Sequence, residues 1–71
     1  MNLLKAKTKE EYIIDDVLLY GKIRNRLLTF GIIKGSKIVV INKKFKSALI
    51  VRIRGTRFGI SGKIAKGIFV K

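Results

Sequence analysis

Five arginines, Arg24, Arg26, Arg52, Arg54 and Arg57, are the side chains best equipped to recognise another molecule. A guanidinium offers a rigid fork of donors that meets a carboxylate or a phosphate through two bonds at once, whereas an ammonium acts as a mobile point charge. Arg24 and Arg26 fall on one segment and Arg52, Arg54 and Arg57 on another, and both groups predict contact with an anionic partner. Catalysis suits this chain poorly. Without Cys or His it has no thiol nucleophile, no imidazole base and none of the usual ligand sets for zinc, copper or haem. Its acids are Glu10, Glu11, Asp15 and Asp16, and their spacing opposes a divalent-cation site. Neighbours on a strand point to opposite faces, which leaves Glu11 and Asp15 as the pair that shares a side, with Ile13 between them. Gly31 and Gly35 lack the following lysine and hydroxyl of a phosphate-binding loop, so no metal and no cofactor is expected. The residues predict a binding module and not an enzyme.

Charge distribution sharpens that reading. Seventeen Lys and Arg against four Asp and Glu give a formal net charge of +13. All the acids precede Val17, and setting aside Lys5, Lys7 and Lys9 leaves fourteen basic residues and no acid from Val17 to Lys71. That stretch has no ion pair to form within itself. It carries its own repulsion or meets nucleic acid, an anionic membrane surface or an acidic protein face. No apolar run approaches the roughly 20 residues that cross a bilayer, and Met1 to Glu11 holds no signal-peptide core, which predicts a cytosolic protein. At 71 residues the chain is one domain, 1–71, and a domain of this size hides only about 60% of its unfolded surface, too little for a deep active-site cleft.

The elements that must carry these side chains follow from hydrophobic periodicity. Leu3 and Leu4 predict a short anchoring turn packed under the domain. Glu10 to Val17, with Tyr12, Ile13, Ile14 and Val17, predicts a strand flanked by the acid pairs. From Gly21, Ile23, Leu27 and Phe30 recur at helical spacing with Lys22, Arg24, Asn25 and Arg26 turned outward. Gly31 stops that helix, and Ile32 and Ile33 fold back beneath it. Lys34 and Gly35 make a turn. Ser36 to Asn42 is apolar on both faces and predicts a central strand, and Lys43 to Ser47 predicts an exposed loop. Ala48 to Arg54 alternates, with Leu49, Val51 and Ile53 inward and Arg52 and Arg54 outward. Gly55 and Thr56 connect it to a strand at Arg57 to Ile60, Ser61 caps a helical turn, and Ile68 to Val70 is the last strand. The order describes a mainly β protein, a small antiparallel barrel with one helix plugging an end. Tyr12, Phe30, Phe58 and Phe69 read as core, which leaves Tyr20 and Phe45 as platforms on which a base could stack.

The run Arg24-Asn25-Arg26-Leu27-Leu28-Thr29-Phe30-Gly31, with Gly35 before a strand, and then Val51-Arg52-Ile53-Arg54-Gly55-Thr56-Arg57-Phe58, resembles the ferrous iron transport protein A family over essentially the whole chain. The chain departs from the family pattern at Lys34, where a proline is usual, and in the loop from Lys43 to Ser47. The resemblance implies an SH3-like barrel, similar also to the C-terminal domain of iron-dependent repressors. It implies an accessory whose partner is the cytosolic GTP-binding domain of a membrane ferrous iron transporter. Arg24, Arg26 and Leu28 are the expected contacts, with Leu27 and Phe30 holding the helix and Arg52, Arg54 and Arg57 next in line. The alternative is a small basic nucleic-acid-binding barrel, and a third reading is attachment to anionic lipid.

Overall fold

A computed structural model describes residues 1–44 and 48–71. Five strands, β1 (Glu11–Val17), β2 (Lys37–Lys44), β3 (Ala48–Ile53), β4 (Thr56–Ser61) and β5 (Ile68–Val70), form one antiparallel sheet in the order β4-β3-β2-β1-β5. The helix α1 (Gly21–Thr29) lies between β1 and β2, and one helical turn, α2 (Gly62–Ala65), lies between β4 and β5. As its two apolar faces require, β2 is the central strand, with Ile38 and Val40 wholly buried. The edges β4 and β5 do not pair with each other, so the sheet is not closed into a barrel. Register shifts between Ile14 and Asp16 on β1 and between Val40 and Asn42 on β2 mark where it bends, because an extra residue on one strand bends that strand and raises its local twist.

The start of the chain locks the free edge of β5. The Val70 amide donates to the Met1 carbonyl at 2.8 Å, and Asn2 bridges to Phe69. Leu3 then enters a 3-10 turn, Leu3–Lys5, with its side chain fully buried. This turn and α2 cover the end of the core assigned above to the longer helix, with α2 packed on β3, β4 and the first turn. α1 leans on the sheet through Leu27, its single buried residue. The physical reason is local: among the described residues its first turn has no side-chain cap and no acidic residue, while its last turn is pinned. There the Gly31 amide donates to the Leu28 carbonyl at 3.0 Å and the Ile32 amide to Leu27 at 2.9 Å, with Gly31 at φ +90 and Ile32 buried beside Leu27. That is the Schellman closure expected of Gly31.

The fully buried core is aliphatic. Tyr12 and Phe58 pack against it as partly buried rings, as expected in part, Phe69 is half-buried, and the expectation for Phe30 is corrected, since it is 43% exposed. Two boundaries also move. Lys43 and Lys44 belong to β2, paired with Leu49 and Ala48, and the rest of the expected loop, with the Phe45 platform, lies outside the described residues. Arg54 leaves the strand: Ile53 pairs with Thr56, so Arg54 and Gly55 form the two-residue turn, at φ 53 and φ 80, the pair of left-handed residues that a type I′ hairpin requires.

Ser61 caps α2 as its position predicts, its Oγ accepting from the Ile64 amide at 3.2 Å. Ser61→Ala removes that acceptor and is expected to lower stability by about 1 kcal/mol, read as a shift in urea midpoint at unchanged slope.

Candidate docking surfaces

Successive helix residues turn by about 100°, so the buried Leu27 lies between Arg26 on one flank and Leu28 on the other. Arg24, one turn before Leu28, shares the Leu28 side. Arg24 and Arg26 are exposed and Leu28 is 38% exposed. On the Arg26 flank the helix and β4 enclose a groove of ≈ 390 Å³ whose walls include Leu27, Phe30, Phe58, Ile60 and Ile64. Its floor is built by a contact between distant segments: the rings of Phe30 and Phe58 stack with centroids 4.7 Å apart and planes at 29°. Arg26 is the charged residue on its wall. The apolar surface continues along the helix, where Tyr20 is 83% exposed and Ile23 is also exposed. An apolar floor with a guanidinium at its rim is the arrangement that a polar-rimmed protein interface favours.

Arg52, Arg54 and Arg57 occupy a different surface. Arg52 points away from the core between buried Val51 and Ile53, and Arg57 stands directly across the ladder from it. Arg54, in the turn, lays its stem over Gly31 at the end of α1: a Cβ at Gly31 would lie 3.3 Å from Ile53 Cγ2 and 3.5 Å from Arg54 Cδ and Nε. Arg52 and Arg54 line a second cleft, of ≈ 450 Å³, that also includes Lys37, Glu11 and the turn Gly35–Ser36. The six expected contact residues thus divide into Arg26 at the apolar groove, Arg24 and Leu28 on the other flank of the helix, Arg52 and Arg57 on the outer face of the sheet, and Arg54 in the turn over Gly31. Sequence spacing singled out neither Phe58 nor Ile64 as a groove residue, because Phe58 reaches Phe30, and Ile64 the same groove, only through the tertiary fold.

The acids are dispersed. Glu11 pairs with Lys37 at 3.9 Å and Asp15 with Lys71 at 3.5 Å, and among the described residues no three His, Cys, Asp or Glu side chains converge on a metal-sized point. Tyr12 anchors the first segment instead, its hydroxyl accepting from the Lys7 amide at 3.0 Å. Among the described residues no helix is long and apolar enough to cross a membrane.

A five-stranded antiparallel sheet with two short helices defines a small SH3-like domain. Comparison with known proteins makes the assignment specific. The family model described as the FeoA domain matches residues 1–71, so the chain belongs to the FeoA family, which is associated with ferrous iron transport. An iron uptake regulatory protein, FeoA, solved by crystallography, superposes with TM-score 0.90 at 22% identity over 100% of this chain and 95% of that one. FeoA from Stenotrophomonas maltophilia, crystallised with zinc and described as an SH3 domain protein and proposed ferrous iron transport activating factor, superposes with TM-score 0.86 at 25% identity over 100% of this chain and 89% of that one. ScaR, crystallised with bound Cd2+, shares the fold over 35% of its length and 100% of this chain, with TM-score 0.87 at 24% identity. None of the curated proteins matches the chain.

Proposed function

We propose that this chain is a non-enzymatic cytosolic adaptor that docks on the GTP-binding cytosolic domain of a membrane ferrous iron transporter and supports Fe(II) uptake. The observation that carries the reading is the groove in which exposed Phe30 stacks on half-buried Phe58 beside Arg26 in a domain of the FeoA family. The ferrous iron transport activation proposed for the Stenotrophomonas protein supports the same role. The partner contributes an apolar side chain to the groove and a carboxylate to Arg26, since a chain with no acid after Asp16 selects an acidic partner face.

Titration of the labelled domain against the isolated GTP-binding domain of the transporter tests this. Arg26→Glu is expected to weaken binding about tenfold or more, because it places like charges across the contact, and Arg24→Glu, on the other flank of Leu27, to weaken it less. Binding unchanged in the Arg24→Glu/Arg26→Glu double variant moves the docking surface to Arg52, Arg54 and Arg57. A parallel titration with mixed-sequence single-stranded RNA separates the alternative. RNA affinity carried by bulk charge falls log-linearly with salt and is largely lost by about 150 mM, and RNA binding that survives there while protein binding does not would replace the adaptor reading.

A further inference from the structure

The outer face of the β3–β4 hairpin holds charge in an arrangement that repels itself. Arg52 and Arg57 are directly opposed across the ladder. One step out from a two-residue turn the facing residues are not mutually hydrogen-bonded and their Cβ atoms come closest, so like charges there destabilise the pairing. Arg54 adds a third guanidinium from the turn, at φ 53, where Asn, Asp or Gly adopt the left-handed conformation at lower cost and Arg does not. The recorded ion pairs of the described residues are Lys37 with Glu11 and Lys71 with Asp15, and neither involves an arginine. Glu11, the one acid of the cleft, lies 3.9 Å from Lys37 in a loose, solvent-exposed pair, and Val39 of β2 stands between it and Arg52 in the ladder. Two guanidiniums opposed across the ladder and a third on the strained turn border a half-open cleft of ≈ 450 Å³ in which Arg52, Arg54 and Lys37 outnumber the one acid, Glu11.

We propose that this cleft is an oxyanion site whose ligand is a small phosphorylated anion, held by Arg52 and Arg54 with Arg57 and Lys37 flanking. A single carboxylate brings one charge and leaves a second guanidinium uncompensated, whereas a phosphoryl group brings nearly two charges on three acceptor oxygens. Glycine-loop recognition plays no part. The site lies on the outer face of the sheet, away from the Phe30–Phe58 groove, and it does not rest on the adaptor reading.

Titrating the full chain with pyrophosphate in about 150 mM NaCl, followed by amide chemical shifts, tests the assignment under screening that suppresses diffuse charge effects. Shifts are expected to concentrate at Gly35, Ser36 and Arg52 through Arg57. Arg52→Gln/Arg57→Gln is expected to weaken pyrophosphate binding at least tenfold and, without anion, to raise the melting temperature, because it removes the repulsion. Lys63→Gln/Lys66→Gln, the same charge change at the far end of β4, is expected to leave affinity within about twofold, as screening over that distance allows. A parallel titration with GTP distinguishes a nucleotide, which adds affinity through base and ribose, from the bare phosphate group. Shifts spread over the lysines, equal losses in the two double variants, or no pyrophosphate binding in that salt would each overturn the proposal.

Discussion

Leu49→Ala is expected to lower the unfolding free energy by about 3 kcal/mol. Leu49 is fully buried at the middle of the sheet, paired with Ile60 on β4 and with Lys43 on β2. Removing its isobutyl group forfeits the transfer free energy of the lost carbons and leaves a cavity that strands on both sides keep from collapsing. At about 0.05–0.15 kcal/mol per residue, a domain of this length has on the order of 4–10 kcal/mol in total, so the variant sits near the edge of folding. Equilibrium urea denaturation reads the effect as a lower midpoint at unchanged slope. Leu18→Ala serves as the control, since Leu18 is 51% exposed and its truncation should stay within about 0.5 kcal/mol. Equal losses at the two positions would mean that the core is not centred on β3.

Gly31→Ala follows at about 2 kcal/mol, a sum of two separable costs. The first is conformational: at φ +90 any Cβ meets the chain's own carbonyl, at about 1–2 kcal/mol. The second is steric, because the new Cβ lies 3.3 Å from Ile53 Cγ2 and presses on the Arg54 stem. Gly35→Ala isolates the first cost. Gly35 has nearly the same φ, +93, but nothing within 4 Å of the added carbon, so its loss should be about 1 kcal/mol from conformation alone. The Gly31 variant also displaces Arg54 from the helix end, so its amide shifts should reach Arg54 and Gly55. A Gly31 variant no less stable than its Gly35 counterpart would show that Ile53 and Arg54 yield freely.

Most strands were legible because their signals are local. Period-two alternation from Leu49 to Ile53 located β3, and two apolar faces marked β2 as central. Single residues with fixed backbone demands, Gly31 and Ser61, placed the end of α1 and the start of α2. The role of α1 was not legible. Ile23, Leu27 and Phe30 share a helical face, yet Leu27 alone is buried, because periodicity states which side of a helix is apolar and not how much of that side another element reaches. Arg54 was misplaced by one position for a related reason. Alternation runs on through a tight hairpin, and the pairing of Ile53 with Thr56, which ends the strand, is a register between segments.

The candidate surfaces divide along the same line. Residue types alone determined that this is a basic domain with no cysteine or histidine chemistry, carrying guanidiniums on two segments and forming one small antiparallel sheet, since composition and short-range periodicity are properties of the chain before it folds. Only the tertiary structure decided which of those residues become neighbours. The stacking of Phe30 on Phe58 and the lie of Arg54 over Gly31 join positions more than twenty residues apart. Such contacts are set by the curl of the sheet, and curl accumulates from strand twist and two bulges that no single segment encodes.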